Sequence, residues 1–157
     1  GNSADFGDLT DGHQGGSAFN DATRSVIADD STTMEYVTTQ TLGNATDFGD
    51  HPNAVNQSGS SDATRGLIIG GNADNTISYV TIQTAGNTTD FGDLTVARMR
   101  SGSASDGTYS TTVGGYASSS ASNVIDKVTI QTAGNATDYA DMTVAGQLVS
   151  SVSGASS

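Results

Sequence analysis

The chain has no cysteine and no tryptophan, one proline (Pro52) and one lysine (Lys127). Without cysteine there is neither a disulfide framework nor a thiolate metal site. Only five basic residues stand among 157, and they form no run. Nucleic-acid binding releases counterions through clustered Lys and Arg, so it is not expected. The formal charge of −12 also opposes anionic lipid surfaces. No apolar stretch approaches the roughly 20 residues that cross a bilayer as a helix, so membrane insertion is not expected. The sequence shows no secretory leader and no initiator Met, and it reads as a mature or internal segment. Glutamate is nearly missing as well: of 17 acids only Glu35 is Glu. With Glu, Lys and Leu this scarce, helices have little to form from. What remains is Gly, Ser, Thr, Asn and Asp, which favour turns, and Thr, Val and Ile, which favour strands.

Low hydropathy with high net charge is also the composition of disorder. Here, however, the apolar residues recur in order. One motif appears four times, as Gly1–Asp8 (GNSADFGD), Gly43–Asp50 (GNATDFGD), Gly86–Asp93 (GNTTDFGD) and Gly134–Asp141 (GNATDYAD), at intervals of 42, 43 and 48 residues. A second precedes the last three copies: Glu35–Leu42, Ser78–Ala85 and Asp126–Ala133. A third precedes that one: Arg24–Asp30, Arg65–Gly71 and Tyr109–Gly115.

Arg65–Gly71 reads as a buried strand stopped by two glycines that allow a positive φ. Thr76–Gln83, with Thr33–Gln40 and Val124–Gln131 as its copies, reads as an alternating β-branched strand packed on both faces. Gly86-Asn87 predicts a turn, with Asn87 in an Asx-turn. Phe6, Phe48, Phe91 and Tyr139 then return one aromatic per unit to the core. About four short strands in roughly 45 residues is the period of a propeller blade. The chain is therefore expected to be all-β, a single repeat domain over 1–157 with units of about 1–42, 43–85 and 86–133 and a partial unit 134–157. A β-solenoid is the alternative fold.

Gly70-Gly71 followed by Tyr79 and Phe91, and Gly114-Gly115 followed by Tyr139, resemble the kelch repeat family. Asp29-Asp30 departs from the diglycine, Lys127 stands in place of the Tyr, and Phe or Tyr stands where kelch repeats usually carry Trp. Thr64-Arg65-Gly66 with Gly70-Gly71, and the string Gly86–Arg98, are similar to kelch-like repeats in virion proteins of marine bacteriophages, the cyanophages among them. That resemblance implies a kelch-like β-propeller that is part of a larger ring. It further implies a non-enzymatic structural or adhesion component of a phage virion, such as a tail-fibre, head-fibre or decoration segment. Its place would be the virion surface or the extracellular space. Its partners would be other virion proteins or copies of itself, with a cell-surface glycan as a further candidate. A carbohydrate- or receptor-binding propeller module is the alternative.

Several residue types in the sequence are capable of chemistry. Glycoside hydrolysis needs two carboxyl groups across a cleft. The pairs Asp5/Asp8, Asp47/Asp50, Asp90/Asp93 and Asp138/Asp141 repeat with the unit, which suggests architecture rather than a catalytic pair. The same pairs match neither the EF-hand loop nor the glycine-rich nonapeptide that binds calcium, so Asx-turns explain them better. His13 and His51 are lone histidines in polar loops and are expected to face solvent. No nucleophile elbow, phosphate loop or zinc motif is present. No catalytic residue, metal ligand or cofactor is expected, and the ligand-binding residues stay unassigned. Asn44, Asn56, Asn87 and Asn135 lie in N-x-[ST] sequons and read as turn chemistry. The serine-rich stretches Ser58–Ser61, Ser101–Ser105 and Ser118–Ser122 are expected to be inter-strand loops carrying whatever binding exists. Tyr109 and Tyr116 are candidate exposed aromatics for it.

Overall fold

A computed structural model describes residues 2–10, 12, 14–52, 55–72 and 74–150, and among these there is no helix. The chain is all-β. The first sheet is an antiparallel meander of β1 (Ser17–Asn20), β2 (Arg24–Ala28), β3 (Thr33–Thr38) and β4 (Thr46–Asp50). The second repeats it with β5 (Ser58–Ser61), β6 (Arg65–Ile69), β7 (Thr76–Thr81) and β8 (Thr89–Asp93). The third has β9 (Gly102–Ser105), β10 (Tyr109–Val113), β11 (Tyr116–Ala117), β12 (Ser120–Thr129) and β13 (Thr137–Gly146), with β12 paired to β10, β11 and β13. No sheet closes on itself as a barrel among the described residues. The GNxTD motif supplies the last strand of each sheet, β4, β8 or β13, so the sheets cut the period at a different phase from the motif count.

The alternation read from the sequence places side chains on two faces. Leu67, Ile69, Ile77 and Phe91 of the second sheet pack against Val128 and Ile130 of the third. Ile68, Val80 and Ile82 leave the opposite face to meet Val26, Ala28, Met34 and Phe48 of the first. The second sheet is thus buried on both sides, and the stack hides apolar surface that no single sheet could hide. The diglycines end their strands as expected: Gly70 and Gly71 take φ of 61° and 98°, and Gly114 and Gly115 take 61° and 104°. Where Asp29 stands instead, its carboxylate accepts the Ser31 amide and hydroxyl, both at 2.7 Å.

The serine-rich stretches correct the sequence reading. Ser58–Ser61 and Gly102–Ser105 are strands β5 and β9, and β12 begins at Ser120. Ser58, Ser60, Ser101 and Ser103 are buried. β1 packs on β5 and β5 on β9, edge by edge. Small hydroxyl side chains let these first strands approach closely and bond across the sheets: Ser58 Oγ meets Ser101 Oγ at 3.1 Å and Ser103 Oγ at 2.8 Å, and Ser60 Oγ meets Ser110 Oγ at 2.6 Å. Among the described residues no helix is long and apolar enough to cross a membrane.

Candidate functional site

The polar residues that the sequence offers for chemistry are largely engaged between neighbouring sheets. Asn44, Asn87 and Asn135 are not in Asx-turns. Each side-chain carbonyl accepts a backbone N–H of the preceding unit: Asp8 at 3.0 Å, Asp50 at 3.0 Å and Asp93 at 3.1 Å. The glycine before each asparagine donates to the carbonyl of Phe6, Phe48 or Phe91. Ala45, Thr88 and Ala136 donate in turn to Asp8, Asp50 and Asp93. The amide therefore completes a short ladder that ties one unit's outer strand to the next, and a local turn could not satisfy those donors.

A second device uses the turn before β2 and its copies. Asp21 Oδ1 accepts the amides of Thr23 and Arg24, at 2.7 and 2.8 Å. Asp62 repeats this on Thr64 and Arg65, and Asp106 on Thr108 and Tyr109. The remaining oxygen of Asp21 receives Gln83 Nε2 at 2.6 Å, and that of Asp62 receives Gln131 Nε2. In the same turns Arg24 and Arg65 donate to the Ile82 and Ile130 carbonyls of the following sheet, at 3.0 and 2.9 Å.

A third device varies with its partner. Glu35 and Asp126, both buried, accept the amides of Thr10 and Thr95. At the matching place in the second sheet the facing residue is Pro52, which has no N–H to give, and the acid is replaced by Ser78. A buried carboxylate there would lose that donor.

Burial raises the Asp21 and Asp62 carboxyls, but the Gln amides and turn N–H groups outweigh it and hold both below the ordinary 3.8. A depressed pKa means a contribution to stability that is complete above the unfolded value and lost as pH falls through the folded one. The thermal midpoint is therefore expected to stay flat from pH 7 to about 5 and to drop by several degrees below about pH 4. In an Asp21→Asn, Asp62→Asn chain the acid limb should be shallower in scanning calorimetry. An unchanged acid limb would show that these turns do not carry it.

The third sheet differs at its open side. In the first two sheets a guanidinium lies over a tyrosine, Arg24 at 4.1 Å from the Tyr36 ring centre and Arg65 at 4.2 Å from that of Tyr79. Each tyrosine meets Phe48 or Phe91 edge-on at 6.1 Å. In the third the cation has moved between two rings: Lys127 Nζ lies 3.9 Å from the Tyr109 centre and 4.7 Å from that of Tyr139. Phe48 and Phe91 are buried, whereas Tyr139 is 61% exposed.

Asp47, Asp90, Asp138 and Asp141 are exposed on the outer strands, and no group of three or more His, Asp or Glu poised for a metal occurs among the described residues. His51 is buried at 2% exposure, not solvated. It occupies the motif position of Leu94, and a leucine-aligned place was the signal for burial. His13 lies outside the described residues. Tyr109 is exposed, while Tyr116 is half-buried with its backbone bridged to Met99. The sequence reading missed Arg98, which is fully buried and ion-paired with Asp126 at 2.8 Å. Comparison with protein-family models and with curated proteins found no match.

Proposed function

We propose that this chain is a non-enzymatic structural and adhesive component, a run of kelch-like propeller units of the kind built into the surface of a phage virion. The virion setting rests on the motif resemblance. The propeller reading is supported by four-stranded antiparallel meanders that follow one another with their first strands side by side; a β-solenoid is the alternative arrangement. The non-enzymatic reading rests on one observation: the repeated Asn, Gln, Asp and Arg side chains bond one sheet to the next. Groups committed in this way set the spacing of a scaffold and are not free for proton transfer.

A carbohydrate- or receptor-binding module is the second reading, and the exposed Tyr109 and Tyr139 beside Lys127 favour it. The same preparation is to be run on a panel of glycosidic and ester substrates and on a cell-surface glycan array. The scaffold reading expects no turnover. The binding reading adds saturable retention without turnover. Hydrolysis abolished by one Asp substitution would sink both. Antibodies raised against the chain should label intact virions if the setting is right.

A further inference from the structure

Five positions on the open side of the third sheet break the pattern shared by the first two. Tyr109 replaces Arg24 and Arg65, Thr111 replaces Val26 and Leu67, and Lys127 replaces Tyr36 and Tyr79. Tyr139 replaces Phe48 and Phe91, and Ala140 replaces Gly49 and Gly92. Ala140 is the decisive one. The glycine is required where the next unit's Gly-Asn segment lies against it: a Cβ on Gly92 would sit 2.5 Å from the Gly134 carbonyl carbon. Ala140 does not take the positive φ of Gly49 and Gly92, so this edge does not present the backbone against which the next unit's Gly-Asn segment lies in the first two sheets. Thr111 puts a hydroxyl where Val26 and Leu67 make buried aliphatic contact, and Lys127 puts an ammonium in place of the half-buried Tyr36 and Tyr79; burying either unpaired would be costly. This face suits a polar ligand, not a fourth sheet.

We infer that it is a binding site for a neutral oligosaccharide, an inference that rests on the binding reading above. The row Tyr109–Lys127–Tyr139 forms a ridge with a hollow on each side. One, of about 310 Å³, is edged by Ser105, Asp106 and Thr111. The other, of about 430 Å³, is edged by Thr132, Asn135 and Thr137. Two successive sugar rings can straddle the ridge with their C–H faces on the tyrosines. Hydroxyls, a carboxylate, an amide and an ammonium offer donors and acceptors together, as a polyhydroxyl ligand requires. Asp106 sharpens the assignment. Its Oδ1 holds the turn through the amides of Thr108 and Tyr109, and the carboxylate edges the first hollow, where it can accept sugar hydroxyls. The charge of −12 sets a field against acidic sugars.

The test is an array of neutral glycans, followed by calorimetric titration of the best binder. Saturable binding is expected, weakened at least about tenfold by Tyr139→Ala and by Lys127→Met. The thermal midpoint of Tyr139→Ala should not move, because that ring is already exposed. If no neutral glycan binds at millimolar concentration, the inference fails. If Tyr139→Ala binds as tightly as the parent, the site is wrong although an adhesive role elsewhere survives. Self-association that shields Tyr139 from nitration would put a second copy on the face and overturn the inference too. Turnover of a bound glycan lost with Tyr139 would keep the site and remove the non-enzymatic reading instead.

Discussion

Gly92→Ala should cost about 3 kcal/mol or more, and Gly49→Ala a similar amount, whereas Ala140→Gly should be close to neutral. Gly92 has φ of 143°, a backbone conformation that resists any side chain. Its missing Cβ leaves room for the carbonyl of Gly134 and the amide of Asn135, which would stand 2.6 and 2.8 Å from an added methyl. These are backbone atoms held in the ladder that Asn135 and Gly134 make with Asp93 and Phe91. They cannot rotate aside as a flexible side chain would. The third sheet must move, which opens contacts of Val128 and Ile130 with Leu67, Ile69 and Phe91. Ala140 takes an ordinary φ, so its methyl strains no backbone. Urea denaturation of the three single variants checks this. If Gly92→Ala and Ala140→Gly shift the midpoint equally, the glycine is not a docking requirement, and the reading of the open face loses its main support.

How far the sequence carried the fold depends on where each strand's stability comes from. The strands β2, β3, β6, β7, β10 and the core of β12 were legible because their own side chains alternate and their ends carry glycine or asparagine. The first strands β5 and β9 were not. Their sequences, Ser58–Ser61 and Gly102–Ser105, have no apolar alternation, and serine is a turn former by local propensity. What orders them is the neighbouring sheet, through Ser58, Ser60, Ser101 and Ser103. Asn87 was seen as a turn residue because Gly-Asn is turn chemistry, yet its amide is spent one unit away. The candidate site was half legible. Tyr109 stood out as an exposed aromatic, and Lys127 as a departure from Tyr. That the two meet Tyr139 depends on strand order, since β10 and β13 flank β12. Repeats make what is shared easy to read and what is singular easy to pass over, and the singular residues are the ones that bear on binding.

Arg98 is singular in the same sense, and its pair with Asp126 carries the second large effect. Arg98→Met alone, or Asp126→Leu alone, should destabilise by about 3–5 kcal/mol, and the double variant by much less. Both side chains are essentially out of solvent. Burial lowers the guanidinium pKa, opposed by the charges of Asp126 and Asp138. The guanidinium donates to the Thr112 carbonyl at 3.2 Å, to Val124 at 3.3 Å and to Asp126 at 2.8 Å, so it joins β10 to β12. Asp126 also accepts the Thr95 hydroxyl at 2.6 Å and the Thr95 amide at 3.1 Å, which fastens the chain after β8 to the third sheet. Removing one partner strands a buried charge, and its desolvation is then uncompensated. Removing both leaves an apolar site of similar volume, at the smaller loss of the Thr95 and carbonyl bonds. A double-mutant cycle in urea measures the difference, with a coupling of about 2 kcal/mol or more expected. Strict additivity would mean that the two charges do not depend on each other. The third sheet, and with it the Tyr109–Lys127–Tyr139 ridge, would then be held by its strand pairing alone.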